Sequence, residues 1–376
     1  MRARLVPARA LVDGEIEAWQ QLAGRAVDPN PVNEPAFVLA AARHLPYGDD
    51  IKLLVAEEAG TFHGAMPVRR LVRRGMPMAS TDVRRMTYLG TPLLDERGEE
   101  AMRAMLATLV RERRAARWAW AELRWLGAGQ AEEMVRAAAR SLRLPVETTE
   151  DFDQPFLVRR DVTREDGASP LDHMSPRHVR DYRRRGRRLA ELLGGDLEVV
   201  DLAGDPRAVD EYIALEAAGR KRETGVAMVG HPGEPEYFRD MCRRFAAEGR
   251  LQVLCLRAGE TTVAMQISVA AGDGLFLVKV GHNESFDRFD PGVQLHMRAV
   301  ERLQHEGEAR WVHVCTFGDN ELLLRLYPDR RRTRTLVISL GGAFAQLALR
   351  SLPYARAGSR RLRALRRAPR LVGAPT

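Results

Sequence analysis

The stretch from Leu251 to Leu340 alternates short apolar runs with turns in an order that few folds accommodate. Leu251–Arg257 is an apolar run, Ala258–Gly259 a turn, and Thr262–Ala270 a second run. Gly272–Asp273–Gly274 is a hairpin signal, and Leu275–Gly281 reads as a third strand. A polar loop, Asn283 to Asp290, leads to Pro291–Gly292, which opens a helix to about His305. Val293, Met297, Val300 and Leu303 share one face of that helix. Trp311–Cys315 is the next strand, followed by a short helix and a last strand. A meander that feeds a helix and then a buried strand predicts an α/β fold with a mixed sheet, and a ligand near the helix N-terminus.

The first half of the chain repeats this order. Helices are expected at Gly14–Ala23 and Glu34–His44, strands at Ile51–Ala56 and Phe62–Val72, and a third strand and loop at Tyr88–Asp95. A helix at Glu99–Arg111, a strand at Trp118–Leu126 and a helix at Gln130–Ser141 follow, and Phe156–Val158 ends the half. At an ungapped offset of 199 residues, Ala59, Gly60, Ala65 and Met66 fall on Ala258, Gly259, Ala264 and Met265. The chain is therefore expected to contain one fold twice. The expected divisions are 1–160, a linker and Arg-rich helix at 161–200, 201–340, and a tail at 341–376.

Charge is unevenly spread. The net charge of +8 equals the eight arginines of residues 341–376, a stretch with no acid, so the body is close to neutral. Cys242, Cys255 and Cys315 have neither metal nor disulfide spacing, so no metal is expected and a reducing, cytoplasmic setting is. No apolar run has transmembrane length, and the basic start carries too short an apolar run for a signal peptide.

Between the halves, Ser175–Pro176 opens a helix that ends at Gly194–Gly195. Val179, Tyr182, Gly186, Leu189 and Leu193 form its apolar stripe. Arg183, Arg184, Arg185, Arg187 and Arg188 crowd the other faces, as do Arg177 and Arg180. Such a face is either solvated or a phosphate-binding surface, because guanidinium forks pair with phosphate oxygens. Lysine is rare, with Lys52, Lys221 and Lys279 against 56 arginines, so Lys279 inside a strand is singled out. In the tail, 359–367 is a basic stretch read as disordered, with contact to nucleic acid or anionic lipid as the alternatives.

Four patterns occur in order: Trp19…Asn30–Pro31…Pro35–Ala36–Phe37; the Arg-rich helix at 177–188; Leu215–Glu216…Lys221…Thr224–Gly225–Val226–Ala227–Met228; and Lys279–Val280–Gly281…Asp290–Pro291–Gly292 followed by Gly318–Asp319–Asn320. Together they resemble the GNAT superfamily of acyltransferases. More narrowly, the chain is similar to the double-GNAT branch that includes Fem-type aminoacyl transferases and CelD-like proteins.

The resemblance implies two tandem GNAT-like domains and transfer of an acyl group from acyl-CoA to a small-molecule amine, without a metal. It places the donor pyrophosphate on the amides of Gly292, Val293, Gln294 and Leu295, with Arg288 as an added charge. The loop differs from the usual superfamily pattern, having one glycine and Asp290 beside the phosphate site. Fem-type relatives depart in the same way and take the acyl group from aminoacyl-tRNA, so tRNA is the variant donor. Glu216 and Asp319 are the candidate bases, Lys279 stabilises charge, and Lys221 and Asn320 are assigned to the substrate. His282 and His313 are further candidates for the base. Arg183, Arg184, Arg185, Arg187 and Arg188 would meet a nucleic acid, if any. A second class, a non-catalytic RNA-binding or scaffold protein with the same double fold, remains beside the enzyme. Oligomeric state is left open.

Overall fold

A computed structural model gives the architecture. It describes residues 1–349 except 74, 84–88, 161–169, 307, 317–319, 343–344 and 348, and it leaves aside the side chains at 220, 221 and 306. The basic stretch 359–367 and Tyr88 lie outside the described residues.

In chain order the elements are β1 (Arg2–Pro7), α1 (Asp13–Gly24), α2 (Pro35–His44), β2 (Lys52–Glu58), β3 (Thr61–Arg73), β4 (Met76–Ser80), β5 (Leu93–Leu94), α3 (Gly98–Glu112), β6 (Trp120–Gly127), α4 (Gln130–Ser141) and β7 (Val146–Val158). Then come α5 (Pro176–Leu193), β8 (Glu198–Asp201), α6 (Ala208–Ala218), α7 (Arg220–Glu223), α8 (Glu234–Ala247), β9 (Leu251–Ala258), β10 (Thr261–Ala271), β11 (Gly274–His282), α9 (Pro291–Glu306), β12 (Trp311–Val314), α10 (Glu321–Leu326) and β13 (Asp329–Ser339). The expected strands and helices of the second half are present. β1, β4, β8, α7 and α8 are additions, and the strand expected at Tyr88–Asp95 shrinks to β5.

The two halves share one sheet, ordered β1-β2-β3-β4-β6-β13-β7-β12-β11-β10-β9-β8, with β5 on β3. Each half contributes an antiparallel meander ending in one parallel pair, β4 with β6 and β11 with β12. The two centre strands are exchanged. β13 sits between β6 and β7, and β7 separates β13 from β12. Acidic β7 and arginine-rich β13 suit each other. Arg332 grips Asp151 with two bonds of 2.7 and 2.8 Å, and Thr335 donates to Glu150 at 2.6 Å. Opposite charges across a strand pair favour that pairing and its register.

The repeat is real, but its offset is 200. The β2–β3 hairpin closes on Glu58↔Thr61 and the β9–β10 hairpin on Ala258↔Thr261. Both first strands then meet one extra residue, His63 or Val263, at the same place. The Ala-Gly identities at offset 199 therefore align the turns one residue out of step, which would swap sheet faces.

Alternation along the strands sends neighbours to opposite layers. Leu54, Ala56 and Met66 pack with α3 and α4, while Leu53, Val55 and Ala65 pack with α1 and α2. In the second half Val253, Cys255 and Met265 face α6 and α8, and Leu254, Leu256 and Ala264 face α5 and α9. α2 joins both halves, because Phe37 and Ala40 lie in the α6–α8 cluster. Glu34, 3% exposed, receives two bonds from Arg250 of 2.6 and 2.8 Å. Burial holds the Glu34 carboxyl above its usual range even so. His44 meets Asp240 at 3.0 Å and Arg331 meets Asp28 at 3.1 Å, adding two more joints between the halves.

Candidate active site

Among the described residues β11 and β12 run side by side only from Gly274↔Trp311 to Leu277↔Val314. β11 then continues to His282, paired among the described residues with β10 alone. The break coincides with a bulge: Leu277 opposes Ser268 and Lys279 opposes Ile267, leaving Val278 as the extra residue. A bulge bends the strand that carries it, and here it opens the sheet between two parallel strands.

Lys279 follows the bulge, and its ammonium lies 3.3 Å from Glu216 Oε1. The two side chains are 12% and 2% exposed. Glu216 follows Tyr212 by one helical turn, so both face the sheet from α6. Its other oxygen accepts the backbone N–H of Met228 at 3.0 Å. A buried carboxylate survives when its oxygens have partners, and this one ties α6, β11 and the turn after α7 together. The sequence marked Glu216 and Lys279 separately, and the fold joins them.

The other candidates are dispersed. Asp319 lies outside the described residues, and so does the side chain of Lys221, whose backbone belongs to α7. Asn320 caps α10, accepting from Leu323 N–H at 3.1 Å. His282 meets Asp287 at 2.9 Å. His313 is fully buried, with Nδ1 3.3 Å from Cys315 Sγ.

α9 begins where the loop after β11 ends. Asp290 is left-handed (φ 52°), and Pro291 takes the first helical position. The Gln294 N–H is donated to the Asp290 carbonyl at 3.0 Å, so the amides of Gly292 and Val293 are those that helix geometry leaves without an intrahelical acceptor. The first turn of α9 holds no acid. α3, its counterpart, differs: Asp95 Oδ1 accepts the Arg97 N–H at 3.0 Å, and Glu99 and Glu100 occupy the first turn. Negative groups at a helix start oppose a bound anion, which leaves α9 as the better anion site.

α5 covers the entrance to α9. Ser175 caps it and Gly194 ends it in the left-handed region, as the sequence predicts. Gly186 lets α5 approach closely, since a Cβ there would stand 2.6 Å from Gln294 Oε1. The Gln294 side chain donates to the Tyr182 carbonyl at 2.7 Å and accepts from Arg298 at 3.0 Å. Arg185 is ion-paired with Asp290, so the unexpected acid of the loop meets a guanidinium from the Arg-rich helix. Arg183 pairs with Glu301 at 3.2 Å and Arg184 with Asp181. Arg187 and Arg188 are exposed. Arg288 is exposed too, its guanidinium 4.6 Å from the centre of the Phe289 ring. Asp290 was visible in the sequence, but its partner 105 residues away was not.

Beneath α9, His296 Nδ1 lies 2.8 Å from the Tyr327 hydroxyl, and burial pushes the imidazole down to about 4. Burial and nearby Arg331 push His313 well below its ordinary value. An unfolded histidine takes up a proton near pH 6.5. As pH falls below that, the unfolded chain gains protons that the fold refuses, so stability is present above about 6.5 and is lost toward about 4. For His296 the loss reaches roughly 3 kcal/mol at the lower end. Denaturant unfolding at about pH 7 and about pH 5 is expected to show the decline, with a smaller slope in His296→Gln. Equal stability at both values would contradict it.

Residues 176–321 match the model of the acetyltransferase (GNAT) domain, beginning at the first residue of α5. Solved structures share the fold along nearly the whole chain. FemX aligns at TM-score 0.58 and 9% identity, covering 93% of this chain and 100% of its own. A conserved protein of unknown function from Bacteroides thetaiotaomicron aligns at 0.53 and 11%, covering 86% and 97%. The C-terminal domain of a putative lysylphosphatidylglycerol synthetase from Agrobacterium fabrum aligns at 0.52 and 12%, covering 89% and 94%. No curated protein matches in sequence. Residues 176–321, which contain the opened parallel pair, are thus similar to an acetyltransferase (GNAT) domain. Over nearly the whole chain the fold, two similar halves on one sheet, is like that of FemX. Among the described residues no cluster suits a metal ion, and no helix is long and apolar enough to cross a membrane.

Proposed function

We propose that the protein moves an acyl group from acyl-CoA to an amine by direct attack, with the donor in the second half of the chain. The observation that carries this reading is the opening between β11 and β12 past Leu277, followed by a helix whose first turn holds no acid and whose preceding Asp290 is ion-paired with Arg185. The donor thioester would enter the opening with its diphosphate on the Gly292 and Val293 amides. The acceptor would approach from the α6 side, where Glu216 and Lys279 lie. Its neutral nitrogen attacks the carbonyl carbon, and backbone N–H groups near Lys279–Gly281 receive the oxyanion. Collapse breaks the C–S bond, and the departing thiolate takes up a proton. The ammonium formed on attack loses its proton to a base, either Asp319 or water. Glu216 acts through Lys279, whose ammonium it holds. The units we assign to this scheme are 1–160 and 201–340, with α5 between them. A cytoplasmic enzyme fits this chemistry.

A specific feature favours a second donor, aminoacyl-tRNA. Arg177, Arg180, Arg187 and Arg188 are exposed on the helix that overlies the α9 entrance. Native mass spectrometry with a panel of acyl-CoAs and bulk charged tRNA separates the readings. Retention of acyl-CoA alone is expected. Retention of tRNA alone would favour the second donor, and retention of neither a scaffold role.

The Arg185–Asp290 pair gives a finer test. Arg185→Ala leaves the Asp290 carboxylate at the anion site without its cation, and affinity for a phosphate-bearing donor should fall about tenfold. Asp290→Asn in that background should restore most of it. Equal affinity in all three proteins, read by calorimetry, would remove α9 from donor binding.

A further inference from the structure

Beneath the second half of α9 the sheet and the helix do not close on each other. A cleft of about 520 Å³ lies between them, with Leu254, Gln266 and Ser268 on the sheet side and Ala299, Val300 and Leu303 on the helix side. Two of these residues are polar and buried, Gln266 at 4% and Ser268 at 1% exposure. Gln266 Nε2 donates to Ser268 Oγ at 3.3 Å, and its Oε1 has no partner. Turning the amide around would exchange an unpartnered oxygen for an unpartnered nitrogen. In either orientation one amide atom in the cleft lacks a hydrogen bond, which a ligand can supply.

The cleft is level with the opening in the sheet. Gln266 pairs across β10–β11 with Val280, three residues beyond Leu277, the last residue of β11 that pairs with β12. Ser268 pairs with Leu277 itself. From there the cleft runs along the sheet to the turn at Gly272–Gly274. One helix thus spans the proposed phosphate site with its first turn and this cleft with its second half.

We infer that the cleft receives the acyl group of the donor, and that this group is an apolar chain longer than acetyl bearing a hydroxyl. The inference rests on the acyl-CoA reading above. The chain follows from the Leu and Val walls. The hydroxyl follows from the amide, because an O–H both donates and accepts and so satisfies Gln266 in either orientation.

Calorimetry on the full chain with acetyl-, octanoyl- and β-hydroxyoctanoyl-CoA tests this. Affinity should rise in that order, with the hydroxyl worth about tenfold. Gln266→Leu should erase the hydroxyl preference while keeping the preference for octanoyl over acetyl. Ala299→Phe, which fills the cleft from a half-buried helix position, should bring the octanoyl-to-acetyl ratio to about one. If Ala299→Phe fails to fold, Gln266→Leu decides alone. Acetyl-CoA binding as tightly as the longer chains would overturn the inference and leave the donor reading standing. Binding of none of the three would overturn both.

Discussion

Glu216→Gln is expected to destabilise the protein by about 3–5 kcal/mol and to abolish acyl transfer. The carboxylate lies 3.3 Å from the Lys279 ammonium, at 2% exposure of its own side chain. A neutral amide keeps an acceptor for the Met228 N–H but deprives the ammonium of its counter-ion. Removing one member of a buried pair costs far more than removing both, because the survivor keeps its desolvation penalty. Glu216→Leu combined with Lys279→Met should therefore unfold close to the parent in denaturant. The same double variant should remain inactive, since Lys279 stands directly after the bulge that opens the sheet. A double variant that regains both stability and turnover would reduce the pair to scaffolding.

Splitting the chain in the 161–169 segment is expected to have a comparably large effect. Expressed alone, residues 1–160 should not form a stable fold. Their two last strands, β6 and β7, do not pair with each other, because β13 lies between them and bonds to both. Residues 170–376 lack β7, which pairs with β12 and with β13. Co-expression of the two pieces should restore one soluble complex that withstands gel filtration. The pieces would be held by the exchanged strands and by the Glu34–Arg250 pair. A folded, monomeric 1–160 fragment would contradict the exchange.

Elements whose signals are local were legible in the residues. α4 and α5 begin and end where the sequence analysis sets them, because caps and terminal glycines act within a turn. β1 was missed because its six residues alternate too briefly to stand out from a basic chain start. α8 was missed, since Gly233 and Pro235 announce a turn as readily as a helix start. The exchange of β7 and β13 is a tertiary choice between partners of similar pattern. Its only linear trace is acids on one strand and arginines on the other. The site behaved likewise. Lys279 stood out as a rare lysine inside a strand and Glu216 through the family resemblance, but 63 residues separate the partners. Arg185 belonged to a face that was either solvated or phosphate-binding, because helical periodicity counts charges on a face and does not say which loop crosses it.

The exchanged strands also set a schedule. During synthesis β7 emerges about 180 residues before the end of β13, which at ribosomal speeds is roughly 9–36 s. Until β12 and β13 arrive, one edge of β6 and both edges of β7 are unpaired on a nascent chain, the form in which strands join wrong neighbours. β7 waits with Glu147, Glu150, Asp151 and Asp153 along its length. These acids repel a second copy of β7 and accept the arginines of β13 when they arrive. The charge pattern that selects the right partner in the finished sheet is thus also what keeps the unfinished one soluble.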